Sequence, residues 1–199
     1  MNHLAHALLS GPGSDLRLGG MMGDFVRGRI DPTLSPDVRT GLALHRAIDS
    51  HTDGHVEIQA LRQLFEPPYR RYAGILIDIW FDHLLARDFQ RWSDIPLARF
   101  SDELVALLQA RSTELPESLQ RFTRYMVARR LPAAYARRDM IGEVLLGVGS
   151  RLQRSNPLAE GLIEIGRLEV ELELAFERFF PQLTEFVEGW RSSAAQPLS

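Results

Sequence analysis

Apolar residues recur every three or four positions along most of the chain, which is the spacing of one face of an α-helix. Runs that alternate Val, Ile or Thr with polar residues, as half-buried strands do, are absent. Proline, glycine and capping residues divide the pattern into segments. We predict helices over residues 2–9, 15–26, 36–51, 56–65, 69–92, 96–111, 116–130, 139–152 and 157–180, then a break at Pro181 and a short helix to 190. The pattern predicts an all-α protein, a single compact helical domain over 1–191 with a disordered tail over 192–199.

The most apolar of these segments, Gly74–Leu85, carries two acidic residues. Asp78 and Asp82 are four positions apart and share one helix face, and His83 lies on the neighbouring face. Because a buried carboxylate is costly unless something balances its charge, these two residues need partners. A metal ion would balance their charge. Alternatively, arginines pair with both aspartates, and His83 is an ordinary core residue.

A second polar stripe follows one face of the predicted helix over 36–51. His45, Asp49 and Asp53 fall at successive four-residue steps. A His and an Asp one turn apart can bind the same metal, or the Asp can orient the His. A local His–Asp hydrogen bond and a capping Asp explain the spacing equally well. Arg46 beside the stripe can reach a substrate phosphate or point to solvent.

Asp24 follows a glycine-rich run and stands beside Phe25 and Val26, where an acid needs a partner such as Arg27. The run lacks the strand and the Gly-Lys-Ser ending of a phosphate-binding loop. It can form part of a metal site, or a glycine patch for helix packing with an exposed acid. All six histidines lie in the first 83 residues, in company with Asp24, Asp49, Asp53, Asp78 and Asp82. Because imidazole and carboxylate are common ligands of divalent metals, this clustering indicates a metal site in the N-terminal helices.

Composition excludes several other kinds of site. The 199 residues contain no cysteine, so thiolate metal sites, disulfides and cysteine nucleophiles are ruled out. A net charge of −3 argues against nucleic-acid binding, and no apolar run is long enough to span a membrane. We expect a cytoplasmic protein without a nucleic-acid or membrane partner, and nothing in the sequence indicates an oligomeric state. All 23 basic residues other than histidine are arginines, and six of them lie between 118 and 138 without an acid.

Four stretches, taken in order, resemble the acyl carrier protein phosphodiesterases: Asn2–His6, Gly23–Gly28, Leu44–Asp53 and Asp78–Leu85. The resemblance implies hydrolysis of the phosphodiester between 4′-phosphopantetheine and a serine of holo acyl carrier protein. It also implies a divalent metal, Mn²⁺ or as an alternative Mg²⁺, and an HD-phosphohydrolase-like helical bundle. HD enzymes carry a His-Asp dipeptide, whereas this chain has the reverse order, so their ligand set cannot be copied.

The resemblance places the polar family residues on His6, Asp24, His45, Arg46, Asp49, Asp53, Asp78, Asp82 and His83. We expect metal ligands among Asp24, His45, Asp49, Asp78 and Asp82. Arg27 or Arg46 would stabilise charge on the phosphate, and His83 or His6 would protonate the departing serine oxygen unless it is a metal ligand instead. His3 and His51 fall where other members have apolar or aromatic residues, so neither is expected to act. Because acyl carrier proteins are acidic, the expected docking residues are Arg124, Arg129, Arg130, Arg137 and Arg138.

Two alternatives stay open. An HD-like phosphohydrolase acting on a nucleotide or a small phosphoester would use the same ligands but would need no docking surface. A non-catalytic helical binding module, whose polar residues form structural ion pairs, would bind no metal.

Overall fold

The computed structural model describes residues 2–194, which fold into ten α-helices joined by loops and short 3₁₀ turns, with no strand among them. The helices are α1 (His3–Leu9), α2 (Ser14–Met22), α3 (Pro36–Gly54), α4 (Val56–Leu64), α5 (Ala73–Arg87), α6 (Leu97–Ala110), α7 (Glu117–Arg129), α8 (Arg138–Gly149), α9 (Gly161–Arg167) and α10 (Glu169–Ala194). The 3₁₀ turns that matter most here are Gly23–Phe25 and Ala133–Ala136. The prediction of an all-α fold is confirmed. None of the described helices is both long enough and apolar enough to cross a lipid bilayer.

Helix α5 lies at the centre of the single core, as its apolar sequence predicts. It contacts α1, α8, α10 and the 3₁₀ turn at Ala133–Ala136. Its side chains Leu76, Trp80 and Phe81 have no exposed surface. Burying one large apolar side chain contributes roughly 1.5–3 kcal/mol, so this helix fixes the positions of the elements around it.

Helices α2 and α3 approach each other unusually closely because glycines meet between them. A Cβ atom on Gly19 would overlap the carbonyl oxygen of Val38, and one on Gly41 would overlap that of Leu16. Only glycine fits at both positions. The close packing holds the Gly23–Phe25 turn, which follows α2, directly against His45 on α3.

The C-terminal helices depart from the prediction. The break falls at Leu168, between α9 and α10, and Pro181 lies inside α10. Proline inside a helix costs about 3 kcal/mol, but Phe179, Phe180 and Leu183 are buried on both sides of it, and that packing outweighs the cost. Helix α10 also continues to Ala194, through the first three residues of the predicted tail; residues 195–199 lie outside the described part.

Candidate metal site and adjoining cavity

Three side chains from two helices converge at one point beside the core. His6 comes from α1, and His45 and Asp49 come from α3. Their candidate ligand atoms all lie within 4.8 Å of one another. His6 Nε2 is 3.1 Å from Asp49 Oδ1, and His45 Nε2 is 3.1 Å from Asp49 Oδ2. The two imidazole rings stack with centroids 3.7 Å apart. Residues far apart in the sequence therefore form one compact cluster.

The orientation of His45 is fixed from behind. Its Nδ1 lies 2.8 Å from the carbonyl oxygen of Gly20, so the Nδ1–H group donates and Nε2 faces the carboxylates. A Cβ atom on Gly23 would overlap the imidazole ring of His45. The absence of a side chain at position 23 therefore makes room for the ring.

Asp24 extends the cluster towards the surface. It lies in the Gly23–Phe25 turn, with 45% of its side chain exposed. Its Oδ1 is 3.4 Å from His45 Nε2, and its Oδ2 is 3.5 Å from His3 Nδ1. Asp24 thus connects the buried cluster with His3, a residue that the resemblance did not favour.

The two histidines of the cluster titrate in opposite directions. Burial lowers the pKa of His6 to about 4, so this side chain is neutral at pH 7. Burial also opposes charge on His45, but Asp24 and Asp49 outweigh it and raise the pKa of His45 to about 9. Burial likewise opposes ionisation of Asp49, yet the imidazoles of His45 and His6 hold the pKa of this carboxyl below its usual range. Both carboxylates are therefore ionised at neutral pH, as ligands must be.

The donor set fits a divalent metal ion. His6 is 1% exposed; its Nε2 lies 3.1 Å from Asp49 Oδ1, and its Nδ1 has no hydrogen-bond partner among the described residues. A buried imidazole nitrogen without a hydrogen bond is uncommon in a purely structural cluster. Two imidazole nitrogens with one or two carboxylates form a usual ligand set for zinc-like and manganese-like ions.

A cavity of about 200 Å³ opens beside Asp24. Its polar lining consists of Asn2, His3, Asp24, Asp78, Tyr125, Tyr135 and Arg151. Its apolar lining consists of Ile75, Ile79, Phe122, Val144 and Val148. Burial raises the pKa of Asp78, the one expected metal ligand of α5 that lines this cavity. A substrate in the cavity would contact Asp24, at the outer edge of the cluster of His6, His45 and Asp49.

Asp82 and His83 make their hydrogen bonds with groups outside this cluster. Asp82 Oδ2 accepts from the backbone N–H of Leu4 at 2.8 Å, and Oδ1 accepts from that of Ala5 at 3.1 Å. Helix α1 has no side-chain cap of its own, so Asp82 satisfies its first N–H groups. In place of the expected ligand role, this geometry gives Asp82 a structural one: it holds the helix that carries His6. Burial raises its pKa to about 7 despite the two donors.

The expected proton donor His83 is also engaged elsewhere. Its Nδ1 lies 2.7 Å from the carbonyl oxygen of Tyr135, and its ring packs against Trp80. It is 6% exposed and does not line the cavity. The expectation that His83 protonates the leaving group therefore has no support in the geometry.

The other sequence candidates near the cluster take positioning roles or none. Arg46 donates to the backbone carbonyl of Val26 at 3.2 Å, which ties down the loop after Asp24. Arg27 is exposed and does not line the cavity. Asp53, the last residue of the stripe, pairs with Arg62 at 2.5 Å on the surface. The stripe therefore contributes His45 and Asp49 to the cluster, and Asp53 does not join them.

Three of the five arginines expected to dock a partner are paired within the chain. Arg129 pairs with Glu143, Arg137 with Asp139 and Arg138 with Glu169. The remaining two, Arg124 and Arg130, are exposed and form no ion pair with any residue the structure describes. These pairings reduce the positive charge that this surface offers to an acidic partner.

The sequence model of the acyl carrier protein phosphodiesterase family matches residues 1–183. The chain belongs to this family. A phosphodiesterase of this kind from Serratia proteamaculans is 32% identical over 186 residues, which cover 93% of this chain and 96% of that protein. One from Escherichia coli O6:H1 is 34% identical over 189 residues, which cover 93% and 96%. One from Pectobacterium atrosepticum is 31% identical over 189 residues, which cover 94% and 98%. No solved structure matches the chain.

Proposed function

We propose that this member of the family hydrolyses the phosphodiester of holo acyl carrier protein, releasing 4′-phosphopantetheine and the apo carrier. The relatives are named acyl carrier protein phosphodiesterases, and the chain matches them over nearly their whole length. The single observation that carries the proposal is the convergence of His6, His45 and Asp49 beside a cavity that a substrate can enter.

The proposal includes a divalent metal, with Mn²⁺ favoured and Mg²⁺ as the alternative. His6, His45 and Asp49 would hold it, and Asp24 would complete the set from the cavity side. When bound, such a metal acidifies a coordinated water and stabilises negative charge on a phosphoryl oxygen. The expected ligands Asp78 and Asp82 are left out of this set, since Asp82 caps α1 and Asp78 is not among the residues whose ligand atoms lie within 4.8 Å of one another.

The chain's own residues orient the reacting groups. The carbonyl oxygen of Gly20 orients the ring of His45 through Nδ1, and burial keeps His6 neutral at pH 7, so that one of its two ring nitrogens carries no proton. His3 is better placed than His83 to deliver a proton to the departing serine oxygen, because His3 lines the cavity.

Kinship with HD-type metal phosphohydrolases also belongs to this proposal. An all-helical fold with His and Asp ligands drawn from separate helices supports it. The dipeptide Asp82-His83 does not contribute to it, since Asp82 accepts from backbone N–H groups of α1 and His83 lies against the carbonyl oxygen of Tyr135. A cytoplasmic location remains a prediction.

The test is a product assay on the purified full chain. With Mn²⁺, holo acyl carrier protein should yield free 4′-phosphopantetheine and a carrier that is lighter by the same group, both visible by mass spectrometry. Chelator should stop the release, and added Mn²⁺ should restore it. A small phosphodiester such as bis(4-nitrophenyl) phosphate serves as the comparison. Rapid cleavage of that compound with an intact holo carrier would contradict the proposal and favour the small-phosphoester alternative.

We also expect Mn²⁺ binding to release about one proton at pH 7. Because the pKa of His45 is raised to about 9 in the metal-free protein, its Nε2 carries a proton that a metal must displace. The apparent affinity should therefore rise by roughly tenfold per pH unit above pH 7 and level off above about pH 9. Calorimetric titrations in buffers of different ionisation enthalpy measure the proton count. An affinity that is flat over this range would contradict the ligand role of His45.

A further inference from the structure

Arg151 is the one arginine among the described residues that line the cavity. It lies in the turn that follows α8, and its side chain is exposed to solvent. It belongs to none of the four sequence stretches that resemble the family. Its position brings a permanent positive charge to a cavity that also holds Asp24.

The charge of Arg151 is held in place without being neutralised. Its guanidinium carbon lies 5.6 Å from the ring centroid of Tyr125, another residue of the cavity wall. Arg129 lies 5.9 Å from the same ring, but it forms an ion pair with Glu143. Arg151 forms no ion pair with any described residue. Stacking on an aromatic ring orients the guanidinium and leaves its N–H fork free for an anion.

Part of the wall of this cavity is apolar. Val144 and Val148 approach from α8, Ile75 and Ile79 from α5, and Phe122 from α7. Its volume of about 200 Å³ exceeds the roughly 150 Å³ of an engineered apolar cavity that binds benzene. A guanidinium group in a cavity with apolar lining is suited to a ligand in which a phosphate is joined to a branched hydrocarbon.

We propose that Arg151 binds the phosphate of the 4′-phosphopantetheine group while the apolar wall receives the dimethyl end of the pantetheine arm. This inference rests on the proposed function and assigns the substrate site within it. The two methyl groups of pantetheine lie one carbon from the phosphate ester, so one small cavity can hold both. Asp24 and His3 line the same cavity, so a phosphate at Arg151 would share it with both residues.

The direct test is binding of the free compounds to the chelator-treated full chain, so that no metal contributes. We expect 4′-phosphopantetheine to bind more tightly than pantetheine, by roughly ten- to hundred-fold, the range of a charge-assisted hydrogen bond. Arg151→Gln should remove that difference. Arg151→Lys should keep only part of it, since lysine retains the charge but lacks the fork. Arg154→Gln is the matched control, because Arg154 is a nearby exposed arginine that does not line the cavity.

The outcomes separate this inference from the proposed function. Equal binding of the two compounds by the unaltered chain, or an Arg151→Gln variant that still distinguishes them, would overturn the phosphate site even if holo carrier is hydrolysed. Arg151-dependent binding of 4′-phosphopantetheine by a chain that leaves holo carrier intact would support the site and refute the proposed reaction. In an active enzyme, Arg151→Gln should raise KM roughly tenfold or more, and Arg154→Gln should not.

Discussion

Asp49→Asn should lower kcat/KM for holo carrier hydrolysis by roughly a thousand-fold, about 4 kcal/mol of transition-state stabilisation. The carboxylate of Asp49 touches the Nε2 atoms of both His6 and His45. An amide supplies only one neutral oxygen there and turns a hydrogen-bond donor towards an imidazole or the metal. Metal affinity should fall together with the rate, which metal analysis of the protein after dialysis against Mn²⁺ will show.

Asp53→Asn provides the matched control for that experiment. It makes the same chemical change on the same helix four residues later, at a side chain that pairs with Arg62 on the surface. Exposed ion pairs contribute at most about 1 kcal/mol, so activity and metal content should stay within about twofold of the unaltered protein. Equal losses in the two variants would refute the assignment of Asp49. A melting temperature measured for both variants separates unfolding from loss of the site.

Gly23→Ala should reduce Mn²⁺ affinity and activity by roughly a hundred-fold, although it adds a single methyl group. That methyl would overlap the ring of His45, so the ring must move and its hydrogen bond to the carbonyl of Gly20 must lengthen or break. Disturbing the group that orients a metal-binding histidine typically costs 10–100-fold in affinity. Titration with Mn²⁺ and the holo carrier assay both measure this effect.

Gly54→Ala is the control for the glycine substitution. A Cβ atom at Gly54 would meet nothing within 4 Å, and this residue lies at the C-terminal end of the helix that carries His45. The change should leave metal affinity unaltered. If Gly23→Ala binds Mn²⁺ as tightly as Gly54→Ala does, then His45 tolerates displacement and its role as a fixed ligand is wrong.

The sequence pattern predicted most of the helices and two of the three residues of the cluster, because both depend on local spacing. His45 and Asp49 share a helix face whatever surrounds them, and the structure brings them together with His6. The same spacing could not distinguish Asp49 from Asp53. That difference depends on Arg62, a residue of the next helix, which reaches only the second carboxylate.

Other parts of the site depend on contacts that no local pattern contains. The sequence correctly required partners for the buried Asp82, but the partners are backbone N–H groups of α1, which every residue type except proline carries. Arg151 stands outside the recognisable stretches, and only the tertiary fold brings it beside Tyr125 of α7. The misplaced break near Pro181 has a similar origin, because burial of the surrounding aromatic side chains outweighs the local preference of proline.

The capping of α1 by Asp82 has a consequence for how the enzyme becomes competent as it is made. A helix of seven residues is unstable alone, and although α1 also packs on α2, it gains its cap only after the ribosome has produced α5, nearly eighty residues later. His6 therefore joins its two partners late, through a contact of high sequence separation. A destabilising substitution in the middle of α5 would then inactivate the enzyme by displacing α1, although it alters none of the proposed metal-binding residues.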